Sequence, residues 1–391
     1  RHIQYISIIA AKGKKMIGAK ILMLFLQVAL SLGFFTSKPF HISSSCNQKN
    51  TPIQHVKMSE TSDEEIASTS RRDFLIKGAA GTGTLAVGKY FIDGPSYTGS
   101  PDLTGKSVII TGANTGLGKE SAIQLAKLGA DVCIACRNPD KAAKAVKEIK
   151  KKSNSEKVTS VTLDLASMES IRQCADKLKS QFSKIDILQN NAGVMALPER
   201  QITKDGFEYQ FGVNHLGHFY LTNLLLDTLL KAERPRIVNL SSAAHTIPPG
   251  VVNFDDIMGE KDYQPWVAYG QSKLSNILFT KELQKRLDAK TDKATVMCCH
   301  PGAVRTELGR YLDIPPYFAP LLVPLVYFTK SPEKGSQTQT FLCAEPSLEA
   351  TGRGKYFDNC AEVTPSPPAL DTEAAKKLWE VSEMYTTKFD V

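Results

Sequence analysis

The chain has 391 residues, 42% of them apolar and 23% charged, an ordinary composition for a soluble globular protein with one large α/β domain and appendages, or two domains. The net charge of +8 is unevenly held: residues 1–100 carry 12 Lys and Arg against 6 Asp and Glu, so the excess belongs to a leader and is not a nucleic-acid surface. Eight cysteines in so long a chain do not make a disulfide framework.

Residues 1–100 read as a targeting leader. Lys12, Lys14 and Lys15 precede Met16, a plausible start, and Ile21 to Phe35 form a 15-residue apolar run. That is short of the roughly 20 residues a membrane span needs and suits a signal-peptide core, the alternative being an uncleaved anchor. A second signal-like stretch, residues 70–88, begins Ser70-Arg-Arg-Asp-Phe-Leu-Ile-Lys77 and resembles the twin-arginine export signal. Two stacked signals resemble the leaders of algae with complex plastids, which implies a plastid, with the thylakoid lumen as its innermost destination. The competing readings are an accidental Arg71-Arg72 pair and association with the endoplasmic reticulum membrane.

From Leu103 onward, strand and helix patterns alternate, as in a parallel sheet covered on both faces. The first strand, Ser107–Ile110, runs into Thr111-Gly-Ala-Asn-Thr-Gly-Leu-Gly118 and then into a helical pattern. Strand, glycine turn and helix is the context in which such glycines mean dinucleotide binding. Gly112, Gly116 and Gly118 let backbone approach a pyrophosphate, and the N–H groups of the helix meet the anion.

The second strand, Asp131–Cys136, ends in Arg137, where an acid would hold the ribose 2′-hydroxyl of NAD. Arg137 favours a 2′-phosphate and hence NADP, against the alternative of a surface arginine. Cys133 and Cys136 have redox or zinc spacing, but inside a buried strand they read as core. No metal site is expected.

A helix follows at Pro139–Lys152, then a third strand at Val158–Leu163 ending in Asp164-Leu165, where a carboxylate can accept from an adenine amino group. Ser167–Phe182 is a helix that Ser167 can cap, and Ile185–Leu188 a strand leading into Asn190-Asn-Ala-Gly193. A long apolar helix, Phe207 to Lys231, carries Asn214, a poor helix former that needs a reason to be there. The fifth strand, Arg236–Leu240, ends in Ser241-Ser242, and 26 residues separate Ser242 from Tyr269. Tyr269 opens a helix reaching Leu287, with Lys273 at i+4 on the same face. Ala294–Cys299 leads into His300-Pro-Gly-Ala-Val-Arg-Thr306, residues 315–328 form an apolar stretch that could touch a membrane surface, Lys355–Phe357 could be a last strand, and Thr372–Thr386 is a final helix.

A carbonyl that receives a hydride must also receive a proton. A tyrosine supplies it if its pKa falls from about 10 toward the working pH, which takes about 4 kcal/mol. One ammonium about 4 Å away, at an effective dielectric near 20, is worth about that much. Lys273 is placed for it, Ser242 can hold the substrate oxygen, and Asn214 can bind a water linking Lys273 to solvent. Alone, a Tyr-x-x-x-Lys pair is roughly a chance event in a chain this long.

The order Thr-Gly-x-x-x-Gly-x-Gly, Asn-Asn-Ala-Gly, Asn214, Ser242, Tyr269, Lys273 resembles the short-chain dehydrogenase/reductase superfamily. Ala-Cys-Arg-Asn, Tyr-Gly-Gln-Ser-Lys-Leu-Ser-Asn-Ile-Leu-Phe and Gly-Lys-Tyr-Phe-Asp-Asn-Cys look like its retinol dehydrogenase group. The resemblance implies a single Rossmann-fold α/β domain over residues 101–391, with a doubly wound, parallel, seven-stranded sheet of order 3-2-1-4-5-6-7. It implies an NADP(H)-dependent oxidoreductase acting on an apolar carbonyl or alcohol such as a retinoid, apocarotenoid or lipid aldehyde. Its cofactor contacts would come from Gly112, Ala113, Asn114, Thr115, Gly116, Leu117, Gly118, Arg137, Asp164, Leu165, Asn191, Ala192, Gly193, Pro301, Gly302, Val304 and Thr306, with Tyr269 and Lys273. Light-dependent protochlorophyllide reductase shares the core motifs and leaves a second enzyme reading open. A binding module that keeps NADP without turnover is a third.

Overall fold

The computed structural model describes residues 92–306 and 329–390, with Lys89 and Leu308. The signal-like stretches, from Met16 through the apolar run 21–35 and at 70–88, and the apolar stretch 315–328 lie outside the described residues. Among the described residues no helix is long and apolar enough to cross a membrane.

Strands β1 (Ser107–Thr111), β2 (Asp131–Cys136), β3 (Val158–Thr162), β4 (Ile187–Asn190), β5 (Arg236–Leu240), β6 (Thr295–Cys299), β7 (Tyr356–Asp358) and β8 (Ala361–Glu362) form one sheet. Its order is β3-β2-β1-β4-β5-β6-β7-β8. Neighbours are parallel as far as β7, and β8 returns antiparallel to it. The seven expected strands are present, and the eighth corrects the count. It is a two-residue hairpin arm behind Asn359 and Cys360, both at positive φ (51° and 57°), the backbone a tight primed turn requires.

Helices α1 (Gly116–Lys127), α2 (Pro139–Ser153), α3 (Met168–Gln181), α4, α5 (Pro265–Asp288), α6 (Gln337–Ala344) and α7 (Thr372–Thr386) cover both faces. Helix α4 starts as Tyr209–Phe211, passes through a π-helical Gly212–Leu216 and continues as Gly217–Leu229. Period-two alternation divides the strands between two cores. Val108, Ile110 and Ile134 join Ala122, Leu125, Ile149 and Leu342 on the side of α1, α2 and α6. Ile109, Cys133 and Leu188 join Ile171, Phe219, Leu278 and Trp379 on the side of α3, α4, α5 and α7. Caps fix the helix starts: Asn138 accepts from Lys141 N, Ser167 from Ser170 N, and Asp371 from Glu373 N and Ala374 N. Pro265 sets the first turn of α5, so Tyr269 lies one turn inside the helix and does not open it.

Because β1 sits between β2 and β4, the winding reverses there, and the crevice beyond their carboxyl ends is where this fold takes ligands.

Ser96 and Tyr97 belong to the folded body. Tyr97 meets Phe341 edge-on at 5.6 Å between ring centres, its N–H donates to Gln337 Oε1 at 2.8 Å, and Lys334 Nζ donates to Ser96 Oγ at 2.6 Å. The boundary drawn at residue 100 therefore falls inside a packed segment. A chain beginning at Ser100 is expected to keep turnover yet melt about 2–8 °C below one beginning at Lys89. The loss of Tyr97 packing is worth about 1–2 kcal/mol, at about 2–4 °C per kcal/mol. Thermal unfolding of the two chains checks it.

Candidate active site

The glycine turn is built against β4. Gly112 has φ 67°, and a Cβ on it would stand 2.8 Å from Ala192 Cβ and 2.9 Å from Ala192 Cα. A Cβ on Gly118 would stand 2.5 Å from Asn191 Nδ2 and 2.9 Å from Ala113 Cα. Asn191 Nδ2 donates to Thr111 O at 2.7 Å, which ties the end of β1 to the end of β4. Helix α1 then begins at Gly116 behind Thr115, whose side chain makes no capping bond, leaving the first-turn N–H groups available to an anion. Thr306 comes within 3.5 Å of the Cβ position of Gly116. Between them opens a cleft of about 400 Å³ lined by Thr115, Gly116, Lys119, Glu120, Arg305, Thr306 and Pro332.

Tyr269 and Lys273 lie on the inner face of α5, both buried, with Lys273 Nζ 5.8 Å from the centre of the Tyr269 ring. Lys273 Nζ donates to Leu240 O at 3.1 Å, its one hydrogen bond among the described residues, leaving two N–H groups for a ligand. Gly193 faces it: a Cβ there would be 3.5 Å from Lys273 Nζ and 3.1 Å from Asn214 Oδ1. Ser242 follows β5, and its Oγ accepts from Ala244 N at 3.1 Å. A pyridine dinucleotide fits these residues: a turn without side chains, an uncapped helix start, and a buried ammonium with spare donors.

Burial dominates the electrostatics. It raises the Tyr269 phenol to about 12, opposed by its hydrogen bond with the Ser242 hydroxyl, and it lowers the Lys273 ammonium to about 8. This runs opposite to the fall expected from Lys273: desolvation is the largest cause at both groups in the protein alone.

Asn214 has a different first task from the expected one. Its Oδ1 accepts from Val194 N at 2.8 Å, and its Nδ2 donates to Val194 O and Ser272 Oγ, both at 2.9 Å. The π-helical turn gives it this reach across to the strand-end loop. Arg137 is exposed at the end of β2 and donates to the Tyr209 hydroxyl at 3.2 Å. Asp164 turns one oxygen to its own backbone, accepting from Ala166 N at 3.1 Å, and Leu165 is buried beside Gly217. Pro301 and Gly302 leave β6, and Val304 bridges to Lys330.

Thr111 and His218 were not singled out from sequence. The Thr111 hydroxyl oxygen accepts from Asn191 N and Ala192 N at 2.9 and 3.0 Å and lies 2.9 Å from His218 Nε2. His218 Nδ1 faces the Asn214 carbonyl at 3.0 Å, so Nδ1 carries the proton and Thr111 donates to Nε2. Burial holds this imidazole neutral, with its pKa lowered to about 4. A histidine four residues after Asn214 in an apolar helix was the available signal. Cys133 and Cys136 are free and buried, and among the described residues no cluster of three or more metal-ligating side chains forms.

Comparison with known proteins agrees with this geometry. Residues 106–314 match the family model of short chain dehydrogenases. Human retinol dehydrogenase 13 is 44% identical over 317 residues, spanning 80% of this chain and 94% of its own length. Human retinol dehydrogenase 14 is 42% identical over 302 residues, spanning 73% and 88%. Among solved structures, an uncharacterized protein from Mycobacterium paratuberculosis superposes with a TM-score of 0.60 at 34% identity, covering 75% of this chain and 97% of that one. A short chain dehydrogenase from Escherichia coli CFT073, complexed with NADPH, shares the fold with a TM-score of 0.52 at 24% identity, covering 67% and 100%. The chain is thus a member of the short-chain dehydrogenase family, an oxidoreductase resembling the retinol dehydrogenase group and working between alcohol and carbonyl with a nicotinamide cofactor.

Proposed function

We propose that the protein interconverts a bulky apolar carbonyl, of the retinoid, apocarotenoid or lipid-aldehyde kind, and its alcohol, with NADP(H) as cofactor and Tyr269 as acid and base. One observation carries the reading. Buried Tyr269 packs in a cluster with Met195, Ala196, Ala244, Ile247, Trp266 and Leu308, and the Ser242 hydroxyl opposes the rise of its pKa. A reacting oxygen can be hydrogen-bonded there while the rest of the substrate meets only apolar surface. The names of the retinol dehydrogenases above point the same way.

Ser242 orients the substrate oxygen toward Tyr269, whose O–H proton passes to that oxygen as the carbonyl carbon is reduced. When bound, the reduced nicotinamide supplies the hydride. Lys273 offsets the charge left on the tyrosine and donates its free N–H groups to the ribose. Asn214 holds the Val194 backbone, and with it the loop that faces Lys273. NADPH oxidation followed against a panel of carbonyl compounds tests the assignment, and absence of turnover with every apolar aldehyde would overturn it.

The NADP preference rests on Arg137 and on the lack of an acid at the end of β2. Wild type is expected to favour NADPH over NADH, and Arg137→Asp to cut that ratio of kcat/KM values by roughly 10- to 100-fold, since the new carboxylate repels a 2′-phosphate. A ratio that does not move would remove Arg137 from the site.

A further inference from the structure

We propose that Gln210 and Tyr263 form a clasp that fixes the two walls of the apolar pocket at Tyr269 against each other, and so sets the preference for bulky over short carbonyl compounds. The inference rests on reading that pocket as the substrate site. One wall is the loop after Gly193, which brings Met195 and Ala196 to Tyr269. The other is the entry to α5, where the Trp266 ring meets Tyr269 edge-on, 6.2 Å between centres at 82°. The two walls are some 70 residues apart in sequence.

Gln210 lies between them, fully buried at the start of α4. Its Oε1 accepts from Ala196 N at 2.7 Å, while its Nε2 donates to the Tyr263 hydroxyl at 2.9 Å and to Pro265 O at 3.0 Å. Tyr263 closes the ring by donating to Leu197 O at 2.9 Å. Four hydrogen bonds thus join one wall to the other through two side chains, the bond from Ala196 buried and the other three partly buried. Only a carboxamide serves, because the position needs one acceptor and two donors.

Two further observations show that the clasp holds a shape the loop would not keep alone. Ala196 has φ 48°, a left-handed backbone that an alanine keeps only when its surroundings impose it. Glu208 accepts from Gln210 N and Phe211 N at 2.9 and 2.6 Å, anchoring the backbone that carries the carboxamide. Gln210 is therefore a positioning residue. A short carbonyl needs only Ser242 and Tyr269, whereas a bulky one must fill the space between both walls.

The test uses the full chain with Gln210→Leu, Gln210→Glu and Tyr263→Phe. KM and kcat are measured for retinaldehyde and for propanal, with NADPH affinity, and retinaldehyde binding is followed separately by quenching of tryptophan fluorescence. Gln210→Leu is expected to raise KM and the dissociation constant for retinaldehyde roughly 10- to 100-fold, to change propanal far less, and to leave NADPH affinity in place. Gln210→Glu should act in the same direction, and Tyr263→Phe more weakly. An equal loss on both aldehydes together with weaker NADPH binding would mean a general packing role and overturn the clasp, as would no change at all. If Gln210→Leu does not fold, Tyr263→Phe, which removes one hydroxyl, decides. Wild type that binds retinaldehyde without reducing it sinks the enzymatic reading, yet the ratios of dissociation constants still judge the clasp. Wild type that does not bind it overturns the clasp too.

Discussion

Replacing Tyr269 by Phe is expected to slow single-turnover hydride transfer by about 10² to 10⁴, the usual contribution of a positioned general acid. The ring stays, so its packing with Met195, Ala244 and Trp266 stays with it, and fold and cofactor affinity are expected to survive. The pH profile adds a second reading of the same site. Lys273, with its pKa lowered to about 8 by burial, is charged below that pH and neutral above it. Cofactor affinity of the free enzyme is therefore expected to decline as pH rises through about 8, as the positive charge and a proton donor of Lys273 are lost together. Lys273→Met should flatten that decline while weakening affinity throughout. Near-full turnover by Tyr269→Phe would make the tyrosine a structural residue.

The second large effect is expected at Gly112. An alanine there meets two independent obstacles: a φ of 67°, and a Cβ placed 2.8–2.9 Å from Ala192. The left-handed backbone costs about 1 kcal/mol or more, and the overlap about 1–3 kcal/mol. With about 2–4 °C per kcal/mol, the melting temperature should fall by roughly 5–15 °C. Relief by pushing the 191–193 loop away would also move Gly193 off Lys273, so NADPH affinity should fall with stability. The fall is measured by thermal unfolding with and without NADPH. A variant that keeps both would mean that the two strand ends can part without cost.

Much of this site was legible because its signals are local. Gly112, Gly116 and Gly118 mark a turn by themselves, and Tyr269 and Lys273 share a face by helix geometry alone. The second and fifth strands and the last helix fall on the residues expected, since each is a dense apolar or clearly capped run. What was not legible depends on partners far away in the chain. Gln210 reads as a polar residue in an apolar helix until Ala196 and Tyr263 surround it. His218 gains its role only when β1 arrives with Thr111. The β7–β8 hairpin has Asn-Cys where Asn-Gly would have announced a primed turn. Spacing gives the pull of Lys273 on Tyr269 but not the desolvation that burial imposes on the phenol.

The π-helical turn has a consequence for how this chain tolerates gaps. Closed by Gly217 N to Gly212 O, it holds one residue more than a regular turn, so α4 runs in two reading frames. Upstream, Gln210 faces the apolar pocket; downstream, His218 faces Thr111, and Thr222 accepts from Asn190. Deleting one residue between 212 and 216 would return that turn to regular α-helix and leave the two halves near their present orientation, whereas deleting one from the regular helix on either side would turn one half against the other by about 100°. Either the pocket wall or the link to the glycine turn would then lose its partner. A one-residue deletion in the regular turns of α4 disconnects the two halves of the candidate site, whereas one inside the π-helical turn leaves them facing their partners and removes the bulge that carries Asn214.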